Sequence, residues 1–249
     1  MIVDGRALAK KLEQEVLIKR QKFGPLTLGV VASSTDAVTN SYIRIKKRIA
    51  SDLDVAVIEY TSLDEISKSD FNKVDGIIVQ LPSTIDPSGI PPEKDVDAIT
   101  DGARVLAPVA AAMKYILEQN IISISGKRVA VVGRGRLVGR PAAAMFRALG
   151  AEVSIVERGD DVGAATHAAD IIVLGAGSPG LLTPEMIKDG VIILDAGTSE
   201  SSGAIVGDAD PACAAKASLF TPVPGGIGPI AVVEIFANLL ILKAQSASQ

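Results

Sequence analysis

The residue in this chain that most needs a chemical explanation is a lysine on an inward-facing stripe. Within "TNSYIRIKKRIA", Tyr42, Ile45, Lys46 and Ile49 stand at i, i+3, i+4 and i+7 and share one helix face. Arg44, Lys47 and Arg48 fall off that stripe and read as solvated charge. Lys46 either buries its stem and snorkels its amine to water, or is desolvated, loses its proton and serves as a base. Gln80 closes the run "GIIVQLP", at the strand end where open parallel sheets place ligand crevices; the plainer reading is a strand-end hydrogen bond. In "PPEKDVDAI", Asp95 and Asp97 alternate, so an extended backbone would aim both carboxylates one way, and a helix cap or charged turn is the alternative.

A second group of residues points to phosphate chemistry. "VAVVGRGRLVGRP" passes from a β-branched run into glycine-spaced sequence and then a helical pattern. That order places Gly133, Gly135 and Gly139 where backbone can approach a pyrophosphate. The spacing is GxGxxxG and not the commoner GxGxxG, and a tight strand-helix turn would need the same glycines. Glu157 ends the next strand-like run about 20 residues on, where an acid can hold ribose hydroxyls. Arg158 beside it, with Arg134 and Arg136, could instead hold a 2'-phosphate through charge-assisted forks, so NADP and NAD both fit. Arg134, inside the turn, is the stronger candidate; Arg136 and Arg140 read equally well as surface charge.

These residues need elements to hold them. Leu8, Leu12 and Val16 recur among charged residues and predict a helix from about Arg6 to Lys22. Strand-like runs follow at "LTLGVVAS", "VAVIEY" and "DGIIVQLP", with helices around Tyr42 to Ala50 and near Leu63 to Phe71 and a loop from Ser83 to Pro92. A helix is predicted from Pro108, and the domain junction is placed along it. Further strands are predicted at "KRVAVVG", "EVSIVE", "DIIVLGAG", "GVIILDAG" and "SLFTPVP", with helical intervals after the first three. The pattern is α/β: two lobes, the second a Rossmann-type doubly wound parallel sheet. The expected domains are residues 1–112 plus 229–249, and 113–228.

Composition narrows the function classes. With 249 residues, 48% of them hydrophobic, the chain can bury two cores, and a net charge of -4 offers no field for nucleic acid. One cysteine, Cys213, and one histidine, His167, cannot assemble a zinc site, and no metal ligands are expected. Cys213 reads as a packed residue and His167 as flanking a helix. The N-terminus lacks a secretory pattern, and the apolar stretch "IAVVEIFANLLILK" is broken by Glu234 and Asn238, so it reads as a buried helix. No membrane partner is expected, and the tail "AQSASQ" is expected to fray.

Taken in order along the chain, "IVDG", "SYIRIKKRIA", "GIIVQLP", "PEKDVD", "VVGRGRLVGRP" and "TPVPGGIGPI" resemble the motifs of the bifunctional methylenetetrahydrofolate dehydrogenase/methenyltetrahydrofolate cyclohydrolase family. The resemblance implies two α/β lobes joined by long helices with tetrahydrofolate derivatives in the cleft between them, the last helix after Gly228 returning to the first lobe. It also implies a cytoplasmic homodimer. It implies that Lys46 and Gln80 serve the hydrolytic step, that Tyr42 lines the substrate and that Asp97 grips the pteridine. Gly133, Arg134, Gly135, Arg158 and Thr198 fall at cofactor-contact positions. The expected activity is oxidation of 5,10-methylenetetrahydrofolate with NAD(P), then hydrolysis to 10-formyltetrahydrofolate. The alternatives are a dehydrogenase alone and a non-catalytic folate or nucleotide binding module.

The chain departs from the family pattern at several places. Ala98 replaces the glycine after "KDVD", "LAPVAAA" replaces a proline-cysteine-threonine-proline segment, and Gly135 stands where serine is frequent. Thr198 replaces a frequent isoleucine and Ala231 a frequent threonine.

Overall fold

The computed structural model describes residues 1–34, 36–66, 71–81, 83–201 and 204–247. In chain order its elements are α1 (Gly5–Arg20), β1 (Thr27–Val31), α2 (Ala37–Asp52), β2 (Ala56–Tyr60), β3 (Gly76–Val79), α3 (Pro108–Gln119), β4 (Arg128–Val132), α4 (Gly139–Ala148), β5 (Glu152–Val156) and α5 (Val162–His167). They continue with β6 (Ile171–Leu174), β7 (Ile192–Asp195), β8 (Ser199–Ser201), β9 (Ala204–Val206), β10 (Leu219–Phe220) and α6 (Ile227–Ser246). The chain divides into two compact units, Lys10–Pro108 with Val232–Gln249 and Met1–Ala9 with Val109–Ala231.

The unit that carries Lys46 is built on a three-stranded sheet of order β2-β1-β3, parallel throughout. Val30, Val31, Ile77, Ile78 and Val79 are buried, as expected of strands covered on both faces. Asp36 starts α2 by accepting the Thr39 N–H at 2.8 Å, satisfying one of the free donors of the first turn. From α6, the buried Asn238 donates from one amide nitrogen to the Val96 and Leu106 carbonyls, both at 2.8 Å, and pins the connection that leads out of the aspartate segment. The predicted helix near Leu63 to Phe71 is a turn over its described part, and residues 67–70 lie outside the described residues. The loop from Ser83 contains a single 3-10 turn at Pro87–Gly89.

The second unit holds a five-stranded, all-parallel sheet of order β10-β7-β6-β4-β5. Numbered along the chain this is 2-1-3-4-5, the doubly wound pattern, with the order reversing between β4 and β6. The connections after those two strands leave from the sheet's carboxyl edge at the reversal, which is where such sheets bind ligands. Two expectations change here. After β6 there is no α-helix, only a 3-10 turn at Pro184–Met186, because glycines and prolines crowd the sequence "GAGSPGLLTP". Between β7 and β10 the antiparallel pair β8-β9 appears, which periodicity did not reveal.

Residues 1–9 also differ from the expected division. The Val3 N–H donates to the Phe220 carbonyl and the Phe220 N–H to the Met1 carbonyl, both at 2.9 Å, so the opening segment extends the sheet beside β10. Gly5 follows because a Cβ there would lie 1.8 Å from the Gly226 oxygen. That close approach joins the "IVDG" opening to the "PGGIG" signature. Helix α6 is, among the described residues, the only one with the length and apolarity of a membrane span; 56% of its most apolar stretch is buried inside the protein, as in a core helix. It continues through Ser246, into the tail expected to fray, of which Ser248 and Gln249 lie outside the described residues.

Ala98 adopts φ 51°, a left-handed conformation that costs a residue with a Cβ about 1–2 kcal/mol. Replacing it with glycine removes that cost while adding about 0.4–1 kcal/mol of unfolded-chain entropy. Ala98→Gly is therefore expected to raise unfolding stability by up to about 1 kcal/mol, read as a higher urea midpoint at constant slope. A clear drop in midpoint would show that the left-handed turn carries no strain.

Candidate active site

Lys46 sits on the inner face of α2 with 6% of its surface exposed, and Gln80, the residue after β3, with 5%. The Lys46 Nζ donates to Gln80 Oε1 at 2.6 Å, and Gln80 Nε2 donates to the Leu81 carbonyl at 2.6 Å. The second bond fixes the first: with its NH2 committed to the backbone, the amide can present only its oxygen to the amine. Burial pushes the Lys46 amine below the ordinary lysine value, and the nearby Asp97 carboxylate opposes that shift. Burial without a directly bonded carboxylate raises the neutral fraction of a lysine amine, the form whose lone pair can accept a proton.

The stripe around Lys46 is phased differently from the expectation. Thr39, Ile43, Lys46, Ile49 and Ala50 are buried, while Tyr42 is 36% and Ile45 40% exposed. The i, i+3, i+7 series from Ile43 points inward, and Lys46 belongs to both possible series, so the sequence could not choose between them. Tyr42 lies one turn before Lys46, at the rim of the buried face.

The two aspartates of "KDVD" do not share a target. Asp95 is fully buried, and its carboxylate accepts the Ile99 and Thr100 N–H groups and the Thr100 hydroxyl, the last at 2.6 Å. It closes the turn that carries Ala98. Asp97 is the carboxylate near Lys46; burial pushes it up to about 6, against the pull of the lysine and with repulsion from Asp95 adding to the rise. The alternation fails because the segment is a turn and not a strand.

In the other unit, the glycine turn follows β4. Gly133 has φ 102°, and a Cβ there would lie 2.6 Å from the Gly175 oxygen, so the turn is pressed against the loop after β6. Gly139 is buried, and a Cβ on it would meet the Gly133 oxygen at 1.9 Å. It therefore lets α4 pack on the turn and does not face a ligand, whereas Gly135 is exposed. The N-cap of α4 is Val138, with no side-chain hydrogen bond; in the first turn the Arg140 N–H donates to the Gly135 carbonyl at 3.0 Å and Pro141 has no N–H, so the turn is closed largely by its own backbone. Arg134 pairs with Glu157 at 2.9 Å, both side chains more than half exposed. Such a pair contributes little on its own and yields easily to a phosphate or a ribose. Arg136, Arg140, Arg158 and Thr198 are exposed.

Sequence reasoning passed over two buried aspartates at the same sheet edge. Asp195 ends β7 and accepts the Gly197 and Ala209 N–H groups, both at 2.9 Å; burial pushes it up to about 6. Asp208, after β9, accepts the N–H groups of Ala176, Gly177 and Ser178. The one available signal was "LDAG" and "VGDAD", each an acid within two residues of a glycine beyond a β-branched run. Cys213 is buried, with its thiol pushed up to about 11 mainly by desolvation, and His167 is the last residue of α5. Among the described residues no three His, Cys, Asp or Glu side chains converge as metal ligands.

A five-stranded doubly wound sheet with a glycine turn at its reversal point defines a dinucleotide-binding α/β protein, and the other unit holds a buried, hydrogen-bonded lysine-glutamine pair. Residues 107–247 match the family described as tetrahydrofolate dehydrogenase/cyclohydrolase, NAD(P)-binding domain. The bifunctional protein FolD of Chloroflexus aggregans is 36% identical over 276 residues, covering 96% of this chain and 95% of that protein. That of Halothermothrix orenii is 33% identical over 270 residues, covering 95% of each. Among solved structures, the bifunctional FolD of Campylobacter jejuni superposes with a TM-score of 0.90 at 28% identity over 99% of both chains. The Trypanosoma brucei enzyme, solved with NADP and an inhibitor, gives 0.88 at 27% identity over 100% of this chain and 99% of that one. The chain belongs to the tetrahydrofolate dehydrogenase/cyclohydrolase family.

The amine environment makes a direct prediction. Titration of the Lys46 side chain by NMR is expected to give a midpoint below 10.5, the ordinary lysine value. Because the Asp97 carboxylate favours the charged amine, Asp97→Asn should move that midpoint further down. An unshifted Lys46, or an upward move in the variant, would contradict this electrostatic account.

Proposed function

We propose that this chain oxidises 5,10-methylenetetrahydrofolate with NADP and hydrolyses the 5,10-methenyl product to 10-formyltetrahydrofolate. The observation that carries the reading is the buried Lys46 amine bonded to Gln80 Oε1 at 2.6 Å. Hydrolysis of a methenyl cation requires water to add to the cationic carbon and lose a proton. The bond from that carbon to N5 then breaks as N5 takes up a proton and the new hydroxyl gives up its own, leaving the formyl group on N10. A neutral amine next to a cationic substrate is suited to the first proton transfer, and the substrate's own charge further disfavours a protonated lysine. Gln80 aims the amine, Tyr42 offers an exposed ring to the substrate, and Asp97 accepts from the pteridine. A dehydrogenase without the hydrolytic step would leave the Lys46-Gln80 pair without a task, and so would a binding module.

When bound, the nicotinamide cofactor supplies the hydride acceptor. The residues present fit such a cofactor: the glycine turn leaves the sheet at its reversal point, its Gly135 is exposed without a side chain, and Arg134 after β4 pairs with Glu157, which with Arg158 follows β5. NADP is favoured over NAD because Arg134 already neutralises Glu157, the acid that would repel a 2'-phosphate. Gly135 and Thr198 complete the assignment. A homodimer in the cytoplasm belongs to the same reading, the oligomer testable by sedimentation.

Lys46→Met is expected to lower the hydrolysis of supplied 5,10-methenyltetrahydrofolate by about a hundred-fold or more while hydride transfer stays within about three-fold, measured as NADPH formation. Equal loss of both activities would remove Lys46 from the assigned role. Glu157→Gln is expected to raise the ratio of kcat/KM for NADP over NAD by about ten-fold, since it removes a negative charge and releases Arg134. An unchanged ratio would place the 2'-phosphate elsewhere.

A further inference from the structure

Asp208 is fully buried yet makes no contact that the fold obviously requires of a charged group. Its Oδ2 accepts the Ala176 N–H at 2.7 Å and the Gly177 N–H at 3.1 Å, and its Oδ1 accepts the Ser178 N–H at 2.7 Å. Three successive amides turned toward one point form a concave anion nest of the kind that often receives a ligand phosphate. Here the chain fills the nest with its own carboxylate. The three residues that supply the amides are themselves exposed on their outer side.

Two further contacts say what this clamp holds in place. The loop it fixes begins at Gly175, whose oxygen lies where a Cβ on Gly133 would come within 2.6 Å, so loop and glycine turn are in backbone contact. Gly175 also donates to the Val132 carbonyl at 3.0 Å, while Gly133 donates to Val156 at 2.9 Å, so the two loops leave the sheet side by side at its reversal point. Behind Asp208, Gly197 approaches so closely that a Cβ there would lie 2.2 Å from the Asp208 carboxyl carbon. The same Gly197 donates to Asp195. One carboxylate thus sets the position of the loop after β6, and through it the wall of the glycine turn, while backing onto the segment that carries Thr198.

We infer that Asp208 is a positioning residue for the nicotinamide cofactor, holding the Ala176–Ser178 loop in the conformation that the glycine turn needs to accept the dinucleotide. It touches neither cofactor nor substrate in this role. A carboxylate is required because only an acceptor on both oxygens can satisfy three N–H groups. An amide would face at least one of them with its own NH2, and a buried donor left without an acceptor moves or destabilises the loop.

The inference rests on the NADP assignment above, and the test separates the two. NADP binding to the Asp208→Asn protein is measured by calorimetry beside the unsubstituted enzyme, together with both activities. Expected are a weakening of NADP binding and a rise in its KM by about ten-fold or more, with hydrolysis of supplied 5,10-methenyltetrahydrofolate, which uses no cofactor, held within about two-fold. NADP affinity unchanged in a folded variant overturns the role, and so does a parallel fall of hydrolysis, which would mark Asp208 as a general structural residue. If the unsubstituted protein itself binds no NADP, the cofactor assignment fails and takes this inference with it. Should Asp208→Asn not fold, Ser178→Pro deletes one of the three donors at an exposed position and is expected to weaken NADP binding in the same direction; unaltered affinity there overturns the inference equally.

Discussion

The removal of one ammonium group from water is the constraint around which half of this molecule is organised. Taking a charged amine out of solvent costs several kcal/mol unless it is paired or gives up its proton. Lys46 has an amide oxygen at 2.6 Å and a carboxylate only in its vicinity, so burial lowers its affinity for a proton more than Asp97 restores it. Keeping the amine there takes α2 packed through Ile43, Ile49 and Ala50, and Gln80 oriented by the Leu81 carbonyl. It also takes an aspartate segment folded by Asp95 so that Asp97 is the acid left near the amine. Each of these is an ordinary packing or hydrogen-bonding feature; the chemistry comes from their common focus.

The same economy of parts appears in the other unit, where a sheet that reverses its winding order leaves two loops side by side. Neither loop has its conformation imposed by helix or strand hydrogen bonds. Close backbone approach at Gly133 and the carboxylate of Asp208 in a ring of amides hold them instead. Buried acids are costly, and Asp195 is pushed up to about 6 by its surroundings, which is acceptable where several N–H groups compensate. The surface pair Arg134-Glu157 has the opposite character: exposed, weak and free to rearrange when a ligand arrives.

The departures from the family pattern acquire physical content once the backbone is seen. Ala98 replaces a glycine at a position with φ 51°, so this chain carries a left-handed alanine where its relatives' motif avoids the cost. Gly135, where serine is frequent, is exposed in the turn, and Thr198 is likewise exposed, so both changes fall on the surface and not in the core. Glu157, the residue after β5, is engaged by Arg134.

Much of the architecture was legible in local pattern. Alternating β-branched runs and helical periods predict the parallel strands, the start of α3 at Pro108 and the glycine turn, because each depends on residues within a few positions of one another. What depended on distant partners was not legible. The phase of the α2 stripe, one residue from that expected, was decided by which side of the helix the sheet covers. The division of labour between Asp95 and Asp97 was decided by a turn that alternation cannot describe. Residues 1–9 join the second unit through pairing with β10 across more than two hundred positions of sequence, and Asp208 meets its three amides across about thirty. Sequence alone determined which side chains were available and on which elements they stand. Tertiary structure decided which of them lost water, and it is loss of water that lowers a lysine's hold on its proton and makes a buried carboxylate depend on backbone N–H groups.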